Sequence, residues 1–524
     1  MIYNEVKAFG LLAFKSWERI KGESIMKKRR VPFLACVVIL GILMWPVACL
    51  GFGFEDMDLH GWYDNQTAVR TQDGVNEAGD LSRFRNTLQL DVGVKFSDDL
   101  RFKAILRGYS EASWAIESGL NQAPRDLDSV PNGGTGMQWD ADFREYYLTK
   151  YWGNDFYMKI GRQQVVWGET DLLRISDIIN PLDMSWWINL QNWEDIRIPL
   201  RMINMGYNIP ESAQDLRFEV VLNPEDFRPN NVAAPGANWD PTWSTWANNN
   251  PAIQAAGLAG TQTFWRAMQH DLHEKRPEFD FGNFQGGMRI MGNFGPWELG
   301  VFDYYAIAPD AVMTFNMAKV AETGVPLEFD WPNINHLGGT FNVFDNFTGA
   351  VFRGECAYTF NQPFNLEQSN PILQAMGISV ASEYITKDTF SYFLGFDRPT
   401  WVTFLNPQKT FFISGQLFQK FIMNKDDRMF STGFGEDGNS QSQTLASLLI
   451  NTEYYNSRII PEVVALYEFN ADGGLVRAKV DYKPTVDTQF TLGYLYLWAK
   501  KDNSGMIGPF RENNEAFFEF KYFF

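Results

Sequence analysis

The final ten residues read Glu515-Ala516-Phe517-Phe518-Glu519-Phe520-Lys521-Tyr522-Phe523-Phe524. Ala516, Phe518, Phe520, Tyr522 and Phe524 share one face of an extended chain, and Glu515, Glu519 and Lys521 share the other with Phe517 and Phe523. A period of two is a strand signal, because successive side chains point to opposite faces. The same pattern recurs upstream. Over 83–96, Phe84, Leu88, Leu90, Val92, Val94 and Phe96 oppose Arg83, Arg85, Thr87, Gln89, Asp91, Gly93 and Lys95. Over 100–107, Leu100, Phe102, Ala104 and Leu106 oppose Arg101, Lys103 and Arg107. Over 475–483, Val476, Ala478, Val480 and Tyr482 oppose Arg477, Lys479, Asp481 and Lys483, and over 488–498 Phe490, Leu492, Tyr494, Tyr496 and Trp498 oppose Gln489, Thr491 and Gly493. Such runs are long for soluble strands and right for tilted membrane strands. A sheet with one apolar and one polar face can lie in lipid only if it closes, so that no backbone donor or acceptor is left facing hydrocarbon.

The connections give a second constraint. Short turns are expected at 97–99, 152–155, 293–296, 345–347, 456–458 and 484–487, and long polar connections near 116–138, 162–199, 224–278, 306–336 and 424–441. Alternating short and long connections are the rhythm of an outer-membrane barrel. The expected fold is therefore all-β: a transmembrane antiparallel β-barrel of about 18 strands with long outer loops, one strand within 378–402 remaining unplaced. Mean hydropathy of −0.26 fits, since half of each strand is polar, and 16% aromatics fit interfacial girdles. A secreted β-sandwich would have to pack the apolar faces together and leaves the turn rhythm unexplained.

Near the N-terminus, Met26-Lys27-Lys28-Arg29-Arg30 precedes an apolar run over 31–47 and small residues near Gly51. That is a secretory signal pattern over 26–51, too short and too ready for cleavage to be a comfortable membrane anchor. Residues 1–25 are expected to be a non-native upstream extension, and 52–524 the barrel. Eight of the 45 Lys+Arg and three of the 63 Asp+Glu precede residue 52, leaving 37 and 60, a net of −23. Such a chain is a poor partner for nucleic acid. Cys356 alone follows residue 51, so neither a disulfide framework nor a haem attachment motif is present.

Residues 161–187, GRQQVVWGETDLLRISDIINPLDMSWW, follow neither a helical nor a strand period. If the first strand rises from the periplasm, 156–161 is a rising fifth strand and this segment leaves the outer rim. Arg162, Glu169, Asp171, Arg174, Asp177 and Asp183 would be costly against lipid; Val165, Val166, Trp167, Ile178, Ile179, Trp186 and Trp187 would be costly in water. A segment over 162–199 folded into the barrel as a constriction or plug meets both demands. Arg162, Gln163, Trp167, Glu169, Asp171, Arg174, Asp177, Asn180 and Asp183 are its candidate site residues; a salt-bridged loop pinned to the wall is the plainer alternative. Strand faces put Arg83, Arg85, Arg101, Lys103, Arg107, Arg477 and Lys479 on one basic lumen wall. Opposed by Glu169, Asp171, Asp177 and Asp183, that wall would set a transverse field across the pore.

Gly161-Arg162-Gln163, Trp167-Gly168-Glu169 and Asn180-Pro181-Leu182-Asp183 together resemble the signature of a proteobacterial outer-membrane family known as domain of unknown function 1302. Alginate-export-type porins are more distantly similar. The terminal strand, with Phe520, Tyr522 and Phe524, resembles the signal read by the barrel assembly machinery. The resemblance implies an outer-membrane barrel acting with an inner-membrane exporter and a periplasmic carrier on hydrophobic or lipid-like cargo.

Little points to catalysis. His270 and His273 would share a helix face, but zinc needs more ligands, and no cofactor or metal is expected. The expected function is passage or handover of solutes across the outer membrane. The alternatives are a non-conducting sleeve of an envelope complex and an outer-membrane hydrolase. Acidic outer loops would meet lipopolysaccharide through bridging cations.

Overall fold

The computed structural model describes residues 56–524 except 74–76, 117–138, 171–172, 185–191, 225, 232–238, 240–260, 278–279, 325, 368–380 and 430–431. The expected extension and signal over 1–51 lie outside the described residues.

Eighteen strands close into one antiparallel barrel. They are β1 (Asp56–Arg70), β2 (Leu81–Ser97), β3 (Leu100–Glu111), β4 (Trp139–Trp152), β5 (Phe156–Gln163), β6 (Leu200–Asn208), β7 (Arg217–Asn223), β8 (Gln285–Phe294) and β9 (Trp297–Ile307). A small hairpin of β10 (Val312–Phe315) and β11 (Leu327–Asp330) interrupts the series. Then come β12 (Asn333–Asp345), β13 (Ala350–Glu367), β14 (Ala381–Thr400), β15 (Phe411–Ile422), β16 (Ser442–Asn451), β17 (Ile459–Glu468), β18 (Gly473–Tyr482), β19 (Thr488–Trp498) and β20 (Glu515–Phe523). Each barrel strand pairs with the next; β9 pairs with β12, and β20 pairs back onto β1 to close the ring.

The turn rhythm holds with two departures. At the rim of short turns, β14 and β15 are joined by the longer connection 401–410. At the rim of long loops, which faces outward in outer-membrane barrels, β17 and β18 are joined by only 469–472. The strand left unplaced over 378–402 is β14, the longest of all.

Alternation assigns the two faces. Leu394 and Phe396 on β14, Val463 on β17, Val480 on β18 and Leu492, Tyr494 and Tyr496 on β19 are exposed on the outer wall. Trp297 packs on Phe341 with ring centroids 5.7 Å apart near the short-turn rim, a piece of the aromatic belt. At the long-loop rim the helix Thr261–Lys275 packs on the β10–β11 hairpin around Ala267, Ile307, Phe329 and Trp331.

Candidate functional site

The connection from β5 to β6 enters the barrel. Trp167 is buried against Phe302 and Tyr304, inward-facing side chains of β9, at centroid distances of 5.9 and 5.8 Å. The guanidinium of Arg289 on β8 lies 5.6 Å from the same indole and pairs with Glu219 at 2.7 Å. Two strands further round the same wall, the buried Glu355 of β13 accepts the backbone N–H of Glu169, the N–H of Ser176 at 3.0 Å and the Ser176 hydroxyl at 2.6 Å. Arg353 donates to the Glu169 carbonyl. One wall carboxylate thus holds two points of an irregular segment, replacing the ladder bonds that segment lacks.

Inside the segment, Asp177 pairs with Arg197 at 2.8 Å and Arg174 at 3.3 Å. The Asn180 side chain accepts from the Val165 N–H at 2.9 Å and donates to the Ile198 carbonyl at 2.9 Å, tying the outgoing and returning limbs together. Gly168 is required where those limbs meet, since a Cβ there would run into Asp177. Asp183 forms a parallel bridge with Asn231 of the β7–β8 connection.

A second connection also turns inward, and the sequence reading missed it. Residues 499–514, between β19 and β20, bring Met506, Ile507 and Phe510 into the same apolar cluster as Trp167, Ile175 and Ile179. Their anchor is again a buried wall glutamate: Glu468 accepts from the Met506 N–H at 2.9 Å and from Gln443 at 3.0 Å. Gly505 has φ +53° and lies so close to the Glu468 carboxylate that any side chain would displace it. Outside, Lys500 and Lys501 pair with Glu436 at 2.9 Å and Asp437 at 2.5 Å, joining this loop to the one over 423–441.

Beneath these segments the inner wall is apolar. Phe393, Phe418 and Leu445 stand side by side in register on β14, β15 and β16, beginning next to Glu355. Leu445 stands opposite Glu468 on β17, and two residues below that glutamate Leu466 resumes the row with Leu475 on β18 and Leu497 on β19. All six face the lumen, yet none is more than 6% exposed, because the plug covers them.

The predicted residues distribute as follows. Gln163 is fully buried and donates to the Met202 carbonyl at 3.0 Å. Arg162 opposes Tyr146 in register and bonds Asp142 and the carbonyls of Phe143 and Pro199, so it fastens the point where the segment leaves the wall. Asp171, Trp186 and Trp187 lie outside the described residues. The residues of the expected basic wall have local neighbours. Arg83 pairs with Glu515 at 2.5 Å, and Lys479 with Asp481 at 3.2 Å and Glu462 at 3.5 Å. Arg85, Arg101 and Arg477 lie over Tyr109, Tyr151 and Phe517. Lys103 stands in register between Gly93 and Tyr147. Of the expected acidic opposites Glu169, Asp171, Asp177 and Asp183, Asp177 is engaged within its own segment and Glu169 is held at β13. The plug meets the basic wall through Asp195, which bonds Arg107 at 2.6 Å, and through carbonyls that accept from Arg144.

At the outer rim, His270 clusters with Asp271 and Glu274, not with His273. The Lys319 ammonium lies 3.0 Å from Asp271 and 2.8 Å from Glu274, where a metal cation would have to sit. His336 hydrogen-bonds Thr359 on the inner wall at 2.8 Å.

Residues 47–524 match the family described as "Protein of unknown function (DUF1302)", and the chain belongs to that family. A search of curated proteins gave no match. Among solved structures, OccAB1 of Acinetobacter baumannii is 9% identical with a TM-score of 0.46, covering 90% of this chain and 97% of that one. OpdK of Pseudomonas aeruginosa, solved with vanillate, is 11% identical with a TM-score of 0.43, covering 90% and 100%. OmpF of Salmonella typhi, solved with daunomycin, is 9% identical with a TM-score of 0.38, covering 89% and 97%. The closed strand order, rather than these likenesses, establishes the barrel.

Proposed function

We propose that this member of the family is a gated outer-membrane conduit for apolar or amphipathic solutes. The observation that carries the reading is the inner-wall row Phe393, Phe418, Leu445, Leu466, Leu475 and Leu497. A barrel built to pass ions and sugars keeps its interior polar. Here a stripe across six neighbouring strands is greasy and dry, while the wall from β1 to β5 carries Arg83, Arg85, Arg101, Lys103 and Arg107. Once the plug withdraws, an amphipathic molecule can lay its apolar part on the stripe and its polar part on the charged wall. Arg162, Gln163, Trp167, Glu169, Asp171, Arg174, Asp177, Asn180 and Asp183 then serve the gate, with Glu355 and Glu468 as its catches.

A periplasmic partner is part of the reading. On the short-turn rim, Phe347, Phe404 and Val486 are 96, 86 and 93% exposed, with Trp401, Leu405 and Tyr455 also exposed beside them. The turns on the other side carry Asp98 and Asp99, Asn154 and Asp155, and Ser212 and Gln214. Asn406 fixes the apolar tip over 401–405: buried, it donates to Thr452 and the Glu453 carbonyl, both at 2.9 Å. A rigid apolar arc on half a rim suits protein contact, and fits delivery by a periplasmic carrier or exporter.

The test is transport by purified barrel in liposomes. Glu355→Ala is expected to release a membrane-impermeant amphipathic dye much faster than wild type, and Phe418→Asp in that background to slow the dye without slowing small ions. Equal loss of both fluxes would remove the apolar-cargo reading. Silence of every variant would favour the scaffold.

A further inference from the structure

The outer wall carries a carboxylate where acyl chains belong. Asp303 sits on β9 between Val301 and Tyr305, whose side chains are exposed, while Phe302 and Tyr304 point inward onto Trp167. In register beside it stand Met288 on β8 and Leu337 on β12, both exposed. Asp303 is therefore framed on four sides by apolar groups of the outer wall. It lies six residues above Trp297 of the aromatic belt, roughly 15 Å up a tilted strand, inside an apolar band about 25 Å tall. Asn335, on the same face of β12, donates to it at 2.9 Å.

Among the described residues this pair leaves one carboxylate oxygen, one amide hydrogen and the buried Asn335 Oδ1 without a partner. Donor and acceptor on one patch are self-complementary under a two-fold axis. Gly286 and Gly339, on the same outer face, put no side chain in the way of a close neighbour. Other polar groups of the outer wall are satisfied within themselves: Tyr392 donates to Gln419, which donates to Thr444 at 3.1 Å, and Tyr63 and Asn65 both donate to Asn86, at 2.7 and 2.9 Å. The Tyr63 group lies on β1 and β2, nearly opposite β9 and β12 in the ring. Pairing it with the Asp303 patch would give an open row of barrels rather than a closed ring.

We propose that the β8–β9–β12 face is the seam of a homodimer, in which Asp303 of each copy accepts a hydrogen bond from Asn335 of the other. The seam removes both carboxylates from lipid and leaves each lumen separate.

The test uses the full barrel in mild detergent and in native outer membranes. Native mass spectrometry of wild type is expected to show dimers. Asp303→Leu with Asn335→Leu should weaken dimerisation at least tenfold while the barrel keeps its heat-dependent shift in electrophoretic mobility, the sign that it is folded. Asp303→Asn should keep the dimer, since an amide still offers donor and acceptor. In membranes, Leu337→Cys in a Cys356→Ser background should cross-link to itself, and Val480→Cys, far round the wall, should not. Monomeric wild type, cross-linking of Leu337→Cys to a different protein, or dimers that survive the double leucine variant would each overturn the proposal.

Discussion

The inner wall holds two regions that differ: a charged wall and an apolar row. From β1 to β5 the lumen-facing positions carry charges matched by neighbours, such as Arg83 with Glu515 and Arg107 with Asp195. From β14 to β19 the lumen-facing positions also hold charges, such as Lys479 with Glu462, but one row of them carries Phe393, Phe418, Leu445, Leu466, Leu475 and Leu497. Both regions have an apolar outside, so lipid does not explain the contrast. What differs is what lies across from each. Charges tolerate water and need only a counter-charge; apolar groups need a cover, and the two inward connections supply one. The exceptions to alternation thus mark where the plug rests.

The comparison breaks most visibly if the apolar row is made like the charged wall. Leu466→Asp with Leu475→Asp sets unpartnered carboxylates under the plug, a cost of at least ~3 kcal/mol, or about a hundredfold in the closed-to-open ratio. Planar-bilayer recordings should change from silent to persistently conducting, and continued silence would mean that the cover does not depend on the stripe. Next comes Glu355→Ala, which strips Ser176 and Glu169 of their shared acceptor at about 2–4 kcal/mol. Hydrogen exchange at the Ser176 and Glu169 amides should accelerate by ~30-fold or more, whereas the Met506 amide should not; equal acceleration of both would merge the two catches into one.

Glu468→Ala sharpens the contrast from the other side. It should free the Met506 amide and expose 499–514 to protease, with a smaller gain in conductance, because the outer clasp of Lys500 and Lys501 on Glu436 and Asp437 remains. The smallest effect is expected on the charged wall. Neutralising Arg101 and Arg107 to Gln in an open variant should raise cation preference by less than about twofold, since wall charges already matched or bathed in water contribute little. A reversal potential that does not move would show that the basic wall has no part in selectivity.

Much of this architecture is legible in the sequence, for a physical reason. Lipid on one side and water on the other force a period of two, and the rims force turn chemistry, so strand number and the inward path of 162–199 follow from local pattern. β14 escaped because Phe390, Tyr392, Phe393, Leu394 and Phe396 are apolar on both faces; Phe393 lies under the plug, and alternation fails there. Leu495 and Leu497 carry the same signal within an otherwise alternating strand. Glu355 and Glu468 could not be singled out. A glutamate on a polar face looks like any other until the segment it holds, 179 and 38 residues away in the chain, is brought alongside. Asp177 pairs elsewhere for a related reason, because ion pairs form with whichever partner the backbone delivers, and for Asp177 that was its own loop.

The short hairpin over 469–472 has a mechanical consequence. It is the shortest connection of the long-loop rim, and the greasy row comes within two residues of it at Leu466 and Leu475. A molecule climbing that row would come level with the outer leaflet there before it came level with open water. The bridge of lysines and acids between the flanking loops spans the gap, so if the conduit proposed above carries apolar solutes, opening that bridge would let them leave sideways.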